Sequence, residues 1–268
     1  QKASGRILSS NKTLPLAMSR TMLTDKLWLK LKPILLDLNI YDKPNLRNIV
    51  EGILFRMRTG VPWRDIPTQF GRPNTIFKTF SRWSKNNKLL KLFKKLSRDV
   101  DYEWLFIDGT HIRAHQHSTG AATDNPQAIS KSVGGNSSKI HMIVDACGNP
   151  CEFIVTDGTT HDIKIAPELL SKIPLNTTDY VSADKGYDSE SFREDIIKQG
   201  AKAIIPKKKN TLTNNSHMDW HIYKMRHLVE NAFARLKHFR GIATRYDKLK
   251  QHYENNVALA CAYIWLKL

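Results

Sequence analysis

Two short apolar runs, WLFID (104–108) and DYVSAD (179–184), constrain this chain most, because each is too short for a helix and each closes on an aspartate. Runs of about 4–8 apolar residues read as strands buried within a sheet. The following Asp-Gly and Asp-Lys-Gly are turn signals, so the ordinary account of Asp108 and Asp184 is a strand running into a turn. Strands of this kind lying side by side would hold the two carboxylates close together. Such like charges are costly unless a cation neutralises them.

The neighbouring segments extend the pattern. KIHMIVDA (139–146), the turn CGNP and CEFIVTD (151–157) form an antiparallel hairpin. HDIKIAPELLSKI and SESFREDIIKQG are helices, the second closed by Gly200, and AKAIIP is a further short strand. Three strands, a helix, a strand, a helix and a strand predict an α/β fold with a mixed sheet and flanking helices. This is the element order of a ribonuclease-H-like fold. The stretch 109–139, rich in His, Ser, Gly and Lys, is expected to be a loop over the site or over a ligand.

YKMRHLVENAFARLK (223–237) contains neither proline nor glycine and predicts one uninterrupted helix, with Gly241 as its stop. At 100° per residue, Met225, Leu228, Val229, Ala232 and Leu236 share one side, which requires a core to pack against. Tyr223, Arg226, Glu230 and Lys237 form a second stripe. Alone, Arg226 and Glu230 are an i, i+4 pair worth a few tenths of a kcal/mol. With Asp108 and Asp184 they become a third carboxylate and its cationic neighbours.

Charge divides the chain. Residues 1–100 hold 21 Lys/Arg against 6 Asp/Glu, a net of +15, and the remainder 21 against 19, a net of +2. Such asymmetry points to a polyanion-binding N-terminal part, 18–100, joined to a near-neutral part, 101–268. Helices are predicted over 24–38, capped by Thr24 and kinked or divided by Pro33; over 45–59, stopped by Gly60; from about 74 to 85; and over 88–98. Trp63-Arg64 in the connection looks exposed. This resembles a helix-turn-helix reader, with Lys78, Arg82 and Lys85 facing DNA. A helical bundle with a solvated basic surface fits the pattern nearly as well, and the +15 favours DNA.

Apolar residues make up 41% of the 268, enough for one good core and a smaller helical part. No run of about 18 uncharged apolar residues is present to span a membrane. The three cysteines are too few for a disulfide framework and fit a reduced, cytoplasmic compartment. A zinc site from Cys147 and Cys151 would need two more ligands, and the residues between them read as a hairpin turn. Residues 1–17, ahead of Met18, lack a secretory pattern and read as a disordered extension.

DGTHIRAHQHSTGA (108–121), ADKGYDS (183–189) and Y-x2-R-x3-E-x6-K (223–237) resemble the three catalytic blocks of bacterial insertion-sequence transposases of the DDE class. RTGVPWRDIPTQFG (58–71) and RYDK (245–248) are similar to further blocks of the insertion-sequence-five family. The five occur in the family's order between Met18 and Leu268. The resemblance implies a DNA transposase, associated with the bacterial nucleoid, that cleaves and joins DNA without a covalent protein intermediate and acts as a homodimer or larger assembly on its element ends and target. It makes Asp108, Asp184 and Glu230 the catalytic, metal-binding triad for two Mg²⁺ ions, with Mn²⁺ as a substitute. It gives Tyr223, Arg226 and Lys237 contacts to the DNA ends.

Hard oxygen ligands suit Mg²⁺, and Arg and Lys suit phosphate, so the chemistry agrees with the carried-over roles. Arg113, His115 and His117 are further DNA candidates. A metal role for His111, His115 and His117 is the inferior reading, since Mg²⁺ prefers oxygen. Asp157, His161 and Asp162 read as structural or supporting residues. Val133 stands where the family pattern calls for a basic residue. Two rivals share the same motifs: a catalytically silent DNA-binding derivative, and a ribonuclease-H-like nuclease without strand transfer. A basic structural protein is a third, which predicts the three carboxylates far apart in space.

Overall fold

The computed structural model describes residues 20–121, 126–132, 134–208, 215–216 and 218–268. Residues 1–17 and Val133, singled out above, lie outside them. Helix α1 (Asp25–Asp37) starts at Thr24, whose hydroxyl accepts the Leu27 N–H. It continues through Pro33 undivided, anchored by buried Leu31 and Leu35, so packing overrides the breaker. Helix α2 (Leu46–Thr59) ends on Gly60 at φ 72°, the left-handed conformation that glycine adopts without strain. Two 3₁₀ turns lead to α3 (Pro73–Lys85), and α4 (Lys88–Leu96) follows. Trp63 is not exposed: its ring packs on Phe77 and Phe80, and Arg56 lies over it at 4.4 Å.

The sheet begins with β1 (Trp104–Ala114), which does not end at Asp108. Beyond Gly109 buried Ile112 and Ala114 alternate with exposed His111 and Arg113, the period of a strand. After β2 (Ser130–Ser132), β3 (Gly135–Val144) and β4 (Pro150–Asp157) form the expected hairpin. Of the expected loop 109–139, residues 109–114, 130–132 and 135–139 are therefore strand, while 115–121 and 126–129 are not. Next come α5 (Asp162–Leu170), β5 (Tyr180–Ala183), α6 (Glu190–Lys198) and β6 (Lys202–Ile204). The strand order is β2-β3-β1-β5-β6, with β4 also on β3. β1 pairs antiparallel with β3 and parallel with β5, and β6 is parallel to β5. This is the mixed, ribonuclease-H-like sheet that the element order predicts.

The predicted helix over 223–237 is broken. Helix α7 (Trp220–Lys224) and α8 (His227–Lys237) are joined by i→i+3 bonds, Met225 N–H to Ile222 O and Arg226 N–H to Tyr223 O. Gly241 does not stop α8 but lies inside α9 (Arg240–Ala243), where a Cβ would stand 2.9 Å from the Met57 carbonyl of α2. Strand β7 (Thr244–Arg245) pairs with the end of β1, and α10 (Lys250–Leu266) closes the chain.

The two sheet faces carry two cores. Leu105, Ile107, Val181 and Ala183 pack on α5 and α6. Phe106, Ile112, Met142 and Val155 pack towards α8 and α10. That second core continues without interruption into the N-terminal helices through Leu35, Val50 and Leu92. α10, buried nearly all round, is its centre, as expected of a helix with apolar residues on every side.

Candidate active site

The register sets the first two carboxylates. Ile107 is paired with Ala183 at the last pair between β1 and β5. The next residues are Asp108, still in β1, and Asp184, where the chain leaves the sheet into a 3₁₀ turn (Lys185–Tyr187). Among the described residues no strand covers that side of β1 between Ile107 and the Arg113–Thr244 pair with β7. The gap is a crevice at the carboxyl end of a parallel strand, where open α/β sheets bind ligands.

Helix α8 closes this crevice because Val229, Phe233 and Leu236 are buried in the core. Arg226, at its N-terminus, reaches both sides: Nη1 donates to Asp108 Oδ2 at 2.7 Å and Nη2 to Glu230 Oε1 at 2.6 Å. One guanidinium thus bridges two of the three predicted ligands. Asp108 Oδ1 also accepts the Gly109 N–H at 2.8 Å, and Asp184 Oδ1 the Gly186 N–H at 2.7 Å. Burial raises the Asp108 pKa; the Gly109 N–H and Arg226 partly offset this, while the Asp184 charge adds to it. Burial opposes the charge on Arg226, but Asp108 and Glu230 outweigh it and raise its pKa. The site therefore favours a positive charge between its carboxylates.

Tyr223, in the last turn of α7 three residues before Arg226, packs edge-on against Trp220. Lys237, at the other end of α8, donates to Thr110 Oγ1 at 2.7 Å. These three predicted DNA contacts thus flank the carboxylates. Arg113, His115 and His117 do not: they lie at the far end of β1, His115 packed against Tyr246 at 5.1 Å and His117 at 4.7 Å. Lys78, Arg82 and Lys85 project from the exposed face of α3.

Sequence reasoning named Asp162 as a supporting residue but missed its partners Lys139 and His141, which form a group with it beneath Asp108, on the opposite sheet face. Asp162 Oδ2 accepts from Lys139 Nζ at 2.6 Å, and its Oδ1 accepts from the Tyr187 hydroxyl at 3.4 Å. His141 Nδ1 is 3.1 Å from Asp162 Oδ1, an ion-pairing distance without hydrogen-bond alignment. Polar residues within an apolar stripe were the signal for it, since Lys139 and His141 flank Ile140 inside β3. His111, also on this face, is held below the usual imidazole value by partial burial and by the Lys139 charge. Asp157 is a turn residue; hydrogen bonding from Thr159, outweighing partial burial, lowers it to about 2. A second missed residue is Arg245 of the RYDK block. It is fully buried and donates to Ser138 Oγ at 2.6 Å and Ala128 O at 2.9 Å, tying the segment before β2 to the sheet.

The oxygen donors of Asp108, Asp184 and Glu230 suit a hard divalent cation, and Arg226 supplies the counter-charge that such a cation would supply. Among the described residues no three His, Cys, Asp or Glu side chains are gathered tightly enough to hold an ion as they stand. Also among them, no helix is long and apolar enough to cross a membrane.

Residues 100–265 match the family model described as the transposase DDE domain, and residues 23–93 that of a putative transposase of the IS4/5 family. Over 130 residues the chain is 38% identical to the putative transposase for insertion sequence element IS6501 of Brucella ovis, covering 48% of this chain and 98% of that protein. It is 29% identical over 136 residues to the putative transposase for IS402 of Burkholderia cepacia, covering 47% of this chain and 62% of that one. Among solved structures, the piggyBac transposase synaptic complex with hairpin DNA aligns with a TM-score of 0.38 at 9% identity, over 70% of this chain and 50% of that chain. A pre-cleavage Mos1 transpososome aligns with a TM-score of 0.26 at 9% identity, over 85% and 80%.

Proposed function

The chain belongs to the DDE-domain transposases of bacterial insertion sequences, and we propose that it binds the terminal inverted repeats of such an element and carries out Mg²⁺-dependent cleavage and 3′-hydroxyl strand transfer. Asp108, Asp184 and Glu230 are the proposed ligands, for two Mg²⁺ ions or for Mn²⁺ in their place. The observation that carries this reading is the register of β1 and β5, which sets Asp108 beside Asp184, with Glu230 linked to Asp108 through Arg226.

Bound metal would supply a nucleophilic oxygen at neutral pH and stabilise the leaving oxygen. The chain's own residues supply position and charge. Asp108 is held by the rigid centre of the sheet, so its carboxylate sits at a fixed point. Arg226 and Lys237, at the two ends of α8, suit two phosphates along a strand, with the Tyr223 ring beside the first. In the first reaction water attacks the phosphorus, the bond to the 3′ oxygen breaks, and a 3′-hydroxyl is left. In the second that hydroxyl attacks a target phosphodiester and displaces its 3′ oxygen. Joining two element ends implies at least two copies on DNA. The basic face of α3 is the proposed end-binding surface, and the bacterial cytoplasm the proposed location.

The test is a set of near-isosteric variants, Asp108→Asn, Asp184→Asn and Glu230→Gln. Each is expected to reduce cleavage of element ends to background while leaving end binding intact. Cleavage retained by any one of them removes that residue from the site. If the unaltered chain binds ends without cutting them, the silent derivative is the better reading; cutting without joining favours a nuclease.

A further inference from the structure

The block RTGVPWRDIPTQFG has no part in the crevice just described, yet it builds one side of a groove of about 910 Å³ between the α2–α3 connection and the far end of β1. One wall is the Trp63–Phe77 ring pair, with centroids 5.4 Å apart, and the other the His115–Tyr246 pair at 5.1 Å. Arg64 and Arg72, both exposed, also line it, and no lining residue is acidic. Neither guanidinium has an ion-pair or hydrogen-bond partner among the described residues. Arg56, by contrast, is tied to Asp247 at 3.0 Å and serves as a platform over Trp63.

Phosphate contacts alone would need only the arginines. Aromatic pairs on both walls suit a flat ring that enters the groove, and a duplex presents the faces of its bases only when one leaves the stack. The volume is within the range of sites for small organic groups, about 300–1,000 Å³. We propose that this groove takes an unpaired nucleotide of the bound DNA, its base against the Trp63–Phe77 and His115–Tyr246 walls and its phosphate on Arg64 and Arg72. The proposal rests on the DNA reading above and adds a site to it. His115, the residue after β1, follows Asp108 by seven positions, about 23 Å in the strand's direction at 3.3 Å per residue. With the DNA strand laid along β1, as the proposal requires, 3.4 Å per nucleotide puts the unpaired position about seven nucleotides from the phosphate at the carboxylates.

The experiment compares, without divalent ions, the binding of the full chain to a fully paired duplex and to the same duplex with one unpaired 2-aminopurine nucleotide. The second duplex is expected to bind about tenfold tighter, the size of one base–aromatic stack, with quenched 2-aminopurine fluorescence. Tyr246→Ala should cut the preference and the quenching together. Arg64→Gln with Arg72→Gln should weaken binding of both duplexes and lower its salt dependence. Equal affinity for the two duplexes with unquenched fluorescence in the unaltered chain overturns the groove and leaves the DNA reading standing. Failure to bind either duplex overturns both.

Discussion

At Gly109 a side chain has nowhere to go, because a Cβ would stand 2.2 Å from Asp162 Oδ1 and 2.8 Å from Lys139 Cε. The glycine next to Asp108 is thus explained by close approach within a strand and not by a turn. What it approaches is a charged group whose worth can be measured. Burial works to raise the Asp162 pKa, but the contacts with His141 and Lys139 outweigh it and bring it to about 2, from an ordinary 3.8. A depressed carboxylate stabilises the fold above its unfolded value and loses that contribution as pH falls, here between about pH 4 and 2. After discounting for the side chain's partial exposure, the contribution is about 1–2 kcal/mol. Asp162→Asn should cost about 3 kcal/mol at pH 7, since it leaves Lys139 buried without its partner, and should flatten stability below pH 4. Urea unfolding from pH 7 to pH 2 checks both; an unchanged acid limb would remove Asp162 as its source. On the other sheet face, Arg226 stands where the proposed metal needs positive charge. Arg226→Gln should therefore tighten Mn²⁺ binding in the absence of DNA by about tenfold, a modest share of the Coulomb energy of a unit charge a few ångström away. Calorimetric titration reads this directly, and unchanged affinity would mean that Arg226 does not compete for the site.

Helix α3 is the element on which the DNA reading is most open to test. Its buried side, with Ile76, Phe80 and Trp83, fixes which residues point out, and Lys78 and Arg82 are among those that do. Replacing both by alanine should weaken binding to element ends and reduce the slope of log affinity against log salt by about 2, one unit for each phosphate no longer neutralised. A slope that stays put would assign end recognition to another element. The elements themselves are legible in the sequence to different degrees. The β3–β4 hairpin, α2 with its Gly60 stop and the helices flanking β5 follow from local patterns. Local signals cut β1 short because Asp-Gly is a strong turn marker, although the alternation of Ile112 and Ala114 with His111 and Arg113 marks a strand. The joint between α7 and α8 has no local signal. It coincides with the arginine that reaches Asp108, 118 positions earlier, a contact that single-sequence periodicity cannot register. For the same reason Arg226 could be singled out beside Glu230, but its reach to Asp108, and with it the bridge between two proposed ligands, could not.

At the scale of the molecule, the charge boundary near residue 100 is not a boundary of packing. Leu35, Val50 and Leu92 share a core with Leu259, Ala262 and Leu266 of α10, and Gly241 of α9 lies against the Met57 carbonyl. We propose that 18–100 and 101–268 differ in role, DNA binding and catalysis, while folding as one unit. The buried pair of Arg56 in α2 and Asp247 after β7, at 3.0 Å, is the sharpest test of that unity. Asp247 Oδ2 also faces the Asn256 side chain of α10 at 3.5 Å, so three elements meet there. Arg56→Ala leaves a buried carboxylate uncompensated and should cost about 3–5 kcal/mol. The loss should appear as one transition shifted as a whole, by fluorescence and far-ultraviolet dichroism alike. Arg56→Met with Asp247→Leu removes both charges and should recover most of it. Two separate transitions would instead mean that the N-terminal helices are a domain free to move. The consequence reaches function, because the groove is lined from both sides of the charge boundary while the carboxylates lie on one. A molecule that melts as one unit couples the two sites through a single core, and a fixed distance between them is what the proposed seven-nucleotide spacing requires.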